Sequence, residues 1–309
     1  MMLERWKHHE GKEIDVFEEF KVLTSEVISK TAFGSSYLEG KDIFEKLSKM
    51  VFLVSRNTLR IRLPDLLGLL VEAYNDTDEK SRITLEDVVD NCKTFYVAGH
   101  ETTTSLLSWT ILLLAINREW QDKLRKEVLG LFGEQNPTAE GFARMKQMTM
   151  VINETLRLYS PAPGFTREVQ WESKLGRLVL PANLTLIISI LSLHIDPLIW
   201  GEDVHLFNPE RFSGGVAKAT NNNPAAYLPF GLGPRNCVGM NFAINEAKIA
   251  LSMILQRYTF TLSPTYIHSP VWQLVLRPEN GIQVMLHPLY MYQGVHWVQN
   301  SLKINIKSK

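Results

Sequence analysis

The stretch from Thr84 to Ile116 contains no proline and opens with Thr84-Leu85-Glu86-Asp87, a capping box in which Asp stands for the usual Glu. It predicts one continuous helix over 84–116, far longer than the three or four turns common in globular proteins. Apolar residues at helical spacing (Phe17, Phe20, Leu23, Val27 and Ile28) predict two or three further helices between Asp15 and Met50, broken at 34–40. Helices are also expected over 120–132, 145–159 and 240–258, the first two ended by Gly133 and by Ser160-Pro161-Ala162-Pro163. Segments 175–180 and 184–190, joined by Pro181-Ala182-Asn183, read as a β-hairpin, and 260–286 alternates as strands around an Asn280-Gly281 turn. The expected fold is mainly α with a minor β component. Between Pro197 and Pro234 no period is sustained, and so long a loop inside a compact domain usually has a functional reason.

Composition narrows the function. The chain has 309 residues, 45% of them hydrophobic, enough for one large core or two modest ones. Its 33 Lys and Arg balance 33 Asp and Glu, so no field of one sign is available to attract nucleic acid, and a small neutral ligand is the expectation. Of the two cysteines, Cys92 falls inside the long helix, which argues against a disulfide scaffold and for a reducing, cytosol-facing setting. The first fifteen residues are charged and lack an apolar signal core, and the run 106–116 is shorter than the roughly 20 residues that cross a bilayer. No transmembrane anchor is therefore expected in this chain.

The strongest chemical signal is Phe230-Gly231-Leu232-Gly233-Pro234-Arg235-Asn236-Cys237-Val238-Gly239, a glycine-punctuated loop that delivers one cysteine just before a predicted helix. The helix dipole and free backbone N–H groups there favour a thiolate, and the glycines let the backbone approach a flat cofactor. A lone cysteine would more often be an apolar filler. The second signal is Ala98-Gly99-His100-Glu101-Thr102-Thr103 in mid-helix, where glycine and back-bonding threonines are expected to open the helix into a groove. Alone, it would pass for a solvated Glu beside ordinary threonines. The third is Glu154-Thr155-Leu156-Arg157, an acid and a base on one helix face, a pairing that is usually a solvated surface contact.

Phe230, Gly233, Arg235, Cys237 and Gly239 match every fixed position of the loop that resembles the haem-binding signature of the cytochrome P450 family. The other two motifs resemble that family's oxygen-activation and Glu-x-x-Arg motifs, in the family's order. The resemblance implies the cytochrome P450 fold, incomplete at its N-terminal side, with haem b ligated axially through iron by Cys237. It implies that Arg235 and Arg167 meet haem propionates, that Glu101 and Thr102 relay protons to dioxygen, and that Arg211 completes a structural triad with Glu154 and Arg157. The substrate would lie against Val97 and Ala98, 162–165 and 271–274, although these apolar residues would equally suit core packing. By the same resemblance, electrons come from NADPH through NADPH-cytochrome P450 reductase at the cytosolic face of the endoplasmic reticulum membrane. The wording of the motifs resembles a plant enzyme of the branch that oxidises terpenoids, steroids and hormones.

The likeness runs from Trp6 to about Pro288, so residues 1–289 are expected to form a partial cytochrome P450 domain and 290–309 an atypical tail. Complete members are longer. Counterparts of their N-terminal anchor, first strands, pocket roof and one haem-contacting helix are missing here, and an internal deletion is expected near Arg62-Leu63-Pro64-Asp65. Apolar surface should be exposed as a result. Two functions stay open: a monooxygenase that inserts one oxygen atom from O2 into a lipophilic molecule, or an inactive relative that binds haem weakly or not at all.

Overall fold

A computed structural model describes residues 2–33, 70, 73–74 and 82–289 of the chain. The first of these residues carry order that the charged sequence did not announce. Helix α1 (Met2–Trp6) buries Met2 and Trp6, and strand β1 (Glu13–Asp15) follows. Trp6 is held from two sides: its indole N–H donates to Glu19 at 3.1 Å and its ring meets Phe20 and Tyr258. Helix α2 (Val16–Phe33) is the one predicted from the Phe17 to Ile28 spacing. The further helices expected up to Met50, the deletion near 62–65 and the tail 290–309 lie outside the described residues.

The long helix forms as the sequence requires. Helix α3 (Leu85–Ile116) starts at a complete capping box, Thr84 Oγ1 accepting from the Asp87 N–H at 3.1 Å and Asp87 Oδ2 from the Thr84 N–H at 2.9 Å. Every residue from Thr103 to Ala115 is buried, so its second half is enclosed on all sides. The hydroxyls trapped there find acceptors: Ser108 and Thr110 bond back to the carbonyls of Thr104 and Leu106, and Thr104 meets Thr24 of α2 at 2.7 Å. Where α2 crosses α3, a Cβ on Gly99 would lie 2.7 Å from Ile28 Cδ1, so the glycine is what allows the two helices this close.

Helix α4 (Arg118–Phe132), a single turn α5 (Ala139–Phe142) and helix α6 (Lys146–Leu158) complete the first half. The α6 terminus has no side-chain cap of its own; the Glu127 carboxylate of α4 accepts the N–H groups of Gln147 and Met148 at 2.7 and 2.9 Å.

The strand pairing corrects the expected hairpin. Strand β2 (Gly164–Glu168) pairs with β5 (Thr185–Ser189), and β3 (Ser173–Leu175) pairs with β4 (Leu178–Leu180). The segment taken as one strand at 175–180 thus contains its own turn, made by Gly176 at φ +59°. Both sheets are two-stranded, and Leu175, Leu178, Val179 and Ile187 are 60–74% exposed on them. Two-stranded ribbons with apolar faces invite association.

After β5 come the short helices α7 (Ile190–His194), α8 (Pro197–Trp200) and α9 (Gly215–Ala219), so the expected long loop is a chain of single turns. Helix α10 (Met240–Leu255) leads into β6 (Tyr258–Leu262), then β7 (Pro270–Trp272), β8 (Leu276–Pro278) and β9 (Gln283–Pro288). The Asn280-Gly281 turn exists, but the strands beside it do not pair with each other: β8 joins β7, while β9 sits between β1 and β6. Gly281 is at φ +69°, and a Cβ there would lie 1.9 Å from Asp15 Oδ2, whose carboxylate is engaged by the N–H groups of Phe17 and Ile282. Gly281→Ala should therefore cost about 3 kcal/mol. Gly176→Ala, equally left-handed but facing open space, should cost about 1 kcal/mol. Urea unfolding of both variants checks the contrast, and equal losses would refute the contact as its cause.

Of the described residues 55% are helical and 15% strand, the mainly α fold with a minor β component that was expected. No helix among the described residues is long and apolar enough to cross a membrane.

Candidate functional site

The loop before α10 is shaped by two left-handed glycines, Gly231 (φ +74°) and Gly233 (φ +82°), conformations that a side chain would strain. Its hydrogen bonds fold it back on itself: Gly231 N–H to the Leu228 carbonyl at 3.0 Å, Asn236 N–H to Gly233 at 3.1 Å and Cys237 N–H to Phe230 at 2.8 Å. Phe230 packs on the main core and anchors the loop, while Cys237 is solvent-exposed three residues before α10. Sγ receives the Gly239 N–H, which lowers the thiol pKa, but the loop atoms crowding the sulfur exclude water and push it up by more. A coordinating cation would deprotonate the ligating thiol outright.

Around the sulfur the surface suits a flat apolar ligand with acidic groups. Leu232, Val238, Met240 and Phe242 are exposed on the loop and the first turn of α10. Arg235 is exposed, and no described residue accepts from its guanidinium. Arg167, on β2, is also exposed, lies 4.4 Å over the Phe165 ring and donates only to the neighbouring Thr166 carbonyl. A soft sulfur, an unpaired Arg235 and exposed apolar neighbours on the same loop are the donor set that an iron macrocycle bearing carboxylates needs. Among the described residues no three His, Cys, Asp or Glu side chains gather as a cage, so a metal held at Cys237 needs most of its ligands from such a macrocycle.

The mid-helix motif keeps its threonine geometry and loses its expected opening. Thr102 Oγ1 donates to the Ala98 carbonyl at 2.7 Å and Thr103 to Gly99 at 3.1 Å, yet α3 is unbroken through these residues. The glycine serves the α2 contact instead. Glu101 does not meet Thr102; its Oε1 lies 3.4 Å from Nε2 of His100, a buried ring stacked on Tyr96. No hydrogen bond or ion pair joins this motif to the Cys237 loop among the described residues.

Glu154, Arg157 and Arg211 do come together, and not as a solvated pair. Glu154 and Arg157 are fully buried, with forked bonds of 2.7 and 2.9 Å between them. The remaining Arg157 donors reach the carbonyls of His194, Val204 and Leu206. Arg211 lies 3.4 Å from Glu154, pairs with Asp203 and donates to the Trp200 and Asp203 carbonyls. One buried charge network thus ties α6 to the irregular segment 194–211.

Sequence reasoning missed His194. Its backbone carbonyl accepts from Arg157, its Nε2 accepts the Leu228 N–H at 2.9 Å, and its ring stacks on Tyr227, so it links the charge network to the segment entering the Cys237 loop. A lone histidine in an aperiodic stretch carries no signal that would mark it. Burial, with the Arg157 charge second, pushes its pKa down to about 4 from 6.5. The unfolded chain takes up this proton near pH 6.5 and the folded chain only near 4, so stability is lost as pH falls through that window and levels off below it. At about 1.4 kcal/mol per unit the loss is roughly 3 kcal/mol. Urea midpoints at pH 7 and pH 4.5 should separate more for the native chain than for His194→Gln, and identical separations would refute the assignment.

The segments expected to flank a substrate meet at Leu276. Its N–H donates to the Pro161 carbonyl, and its own carbonyl accepts the Ser105 hydroxyl and the Trp109 indole of α3. Segment 162–165, the β7 strand with the exposed Trp272 and Leu274, and the long helix are therefore neighbours, while Val97 is buried in a separate cluster with Ile28 and Tyr96.

Residues 41–286, which include every residue named above as a site candidate, match the family model described as cytochrome P450. The chain belongs to the cytochrome P450 family. It is 55% identical to Cytochrome P450 CYP749A22 of Panax ginseng over 94% of its length, which covers 64% of that protein. It is 42% identical to the 11-oxo-beta-amyrin 30-oxidase of Glycyrrhiza uralensis and 37% identical to Cytochrome P450 709B1 of Arabidopsis thaliana, in each case over 93% of this chain and 65% of the relative. The chain thus spans just under two thirds of the length of these P450s. The ginseng match extends over 336 residues, more than the 309 of this chain, so the relative carries residues inside the shared stretch that have no counterpart here.

Proposed function

We propose that this chain is the haem-binding part of a monooxygenase that inserts one oxygen atom from O2 into a lipophilic small molecule. The observation that carries the reading is Cys237, presented at the surface on the folded-back glycine loop with the Gly239 N–H on its sulfur. Haem b, when bound, would supply dioxygen activation, with electrons from NADPH through a reductase. The protein's share is positional. Cys237 would hold the iron, Gly239 would stabilise its anionic sulfur, and Arg235 and Arg167 would pair with the propionates. Glu101 would exchange protons with water and pass them to the Thr102 hydroxyl, which leaves the Ala98 carbonyl to do so. Glu154, Arg157 and Arg211 would act at a distance, keeping segment 194–211 and through His194 the start of the cysteine loop in place. A relative that oxidises 11-oxo-beta-amyrin supports a terpenoid-like substrate, and the family supports the cytosolic face of the endoplasmic reticulum.

The test is a carbon monoxide difference spectrum of the reduced, haem-supplemented protein. The red-shifted Soret band of thiolate ligation is expected for the native chain and its loss in Cys237→Ser. A band that survives the substitution, or none in soluble native protein, would overturn the assignment. The second reading, a relative with weak or no haem binding, draws on the exposed apolar ribbons. Haem stoichiometry after purification separates the two.

A further inference from the structure

Helices α1, α2 and α10 line a half-open cavity of about 510 Å³. Its walls are mostly apolar, with Met2 and Leu3 from α1, Leu23 and Val27 from α2, Phe242 and Ile249 from α10, and Thr31 and Asn245 as neutral polar members. One acidic side chain enters it. Glu246 is 8% exposed, and its Oε1 is shielded from water with no hydrogen-bond partner among the described residues. The two other charged residues on the walls are accounted for. Glu4 pairs with Lys7 at 2.8 Å, and Arg257 donates to the Met253 carbonyl at 2.9 Å. An orphaned buried carboxyl is costly, and a mostly apolar cavity with a few polar groups has the build of a small-molecule site.

We propose that this cavity binds a lipophilic amine, its nitrogen on the Glu246 carboxyl and its apolar body against α1, α2 and α10. Burial pushes the carboxyl pKa up to about 8, so the group enters the encounter protonated. An alkyl amine is more basic than that, near the value of lysine. At pH 7 the amine arrives already as its ammonium, the carboxyl releases its proton to solvent, and the ammonium donates to Oε1, a charge-assisted bond stronger than any an alcohol can offer there. The site is independent of the haem reading, and its test involves no cofactor.

Calorimetric titration with dodecylamine and with 1-dodecanol at pH 7, both below micellar concentration, separates the possibilities. One amine per chain is expected, held about tenfold tighter than the alcohol. Glu246→Gln should bring the amine down to the affinity of the alcohol, and Val27→Trp, which fills the cavity from the partly exposed side of α2, should abolish binding of both. The proposal is overturned by absence of amine binding, by Glu246→Gln that still prefers the amine, or by Val27→Trp that binds like the native chain.

Discussion

Replacing Arg157 by alanine is expected to destabilise the chain by about 3–5 kcal/mol, a large share of what holds a domain of this kind together. The reason lies in what would be left behind. Glu154 is fully buried, and losing its forked partner would strand a carboxylate with only the Asn208 N–H at 3.0 Å and Arg211 at 3.4 Å. The carbonyls of His194, Val204 and Leu206 would lose donors at the same time. Arg157→Lys should recover only part of the loss, because an ammonium keeps the charge but cannot reproduce the planar fork. Thermal and urea unfolding followed by circular dichroism would measure both variants. A loss below about 1 kcal/mol for Arg157→Ala would place it with ordinary exposed ion pairs and remove the network from the account.

Trp109→Ala is expected to cost about 3–5 kcal/mol as well, here through lost packing. Trp109 is fully buried in the enclosed half of the long helix, its ring stacked on Tyr159 at 4.4 Å with His268 against its edge. Its indole N–H also reaches the Leu276 carbonyl, but the Ser105 hydroxyl serves the same oxygen. Trp109→Phe, which keeps a ring on Tyr159 but gives up part of the indole volume and that shared hydrogen bond, should cost less, about 2 kcal/mol. Equal losses for the two variants would mean that the bond to Leu276 rather than the ring does the stabilising.

Local chemistry explains where the sequence was readable. The Thr84 and Asp87 box and the absence of proline up to Ile116 act within a few residues of themselves, and the helix begins and ends where they say. The cysteine loop was legible because a fixed string of residues shapes its own backbone through Gly231 and Gly233. Strand pairing was not. The 181–183 linker looked like a hairpin turn, yet β5 found β2 and β4 found β3, because Gly176 turns the chain earlier and at less strain. Likewise β1 pairs with β9 some 270 positions away, Glu13 facing Met285, a partnership that no window of sequence contains.

The sequence by itself therefore determined the long helix and the glycine loop that presents Cys237, since each depends on backbone preferences and side chains a few residues apart. Only the tertiary structure decided which charges are buried. Glu154 and Arg157 read as a surface pair until segment 194–211 covers them, Gly99 reads as a helix weakness until Ile28 fills the space, and His194 reads as nothing until Leu228 and Arg157 reach it. Burial and long-range hydrogen bonds change the energies of these groups by several kcal/mol, and both arise only when distant segments meet.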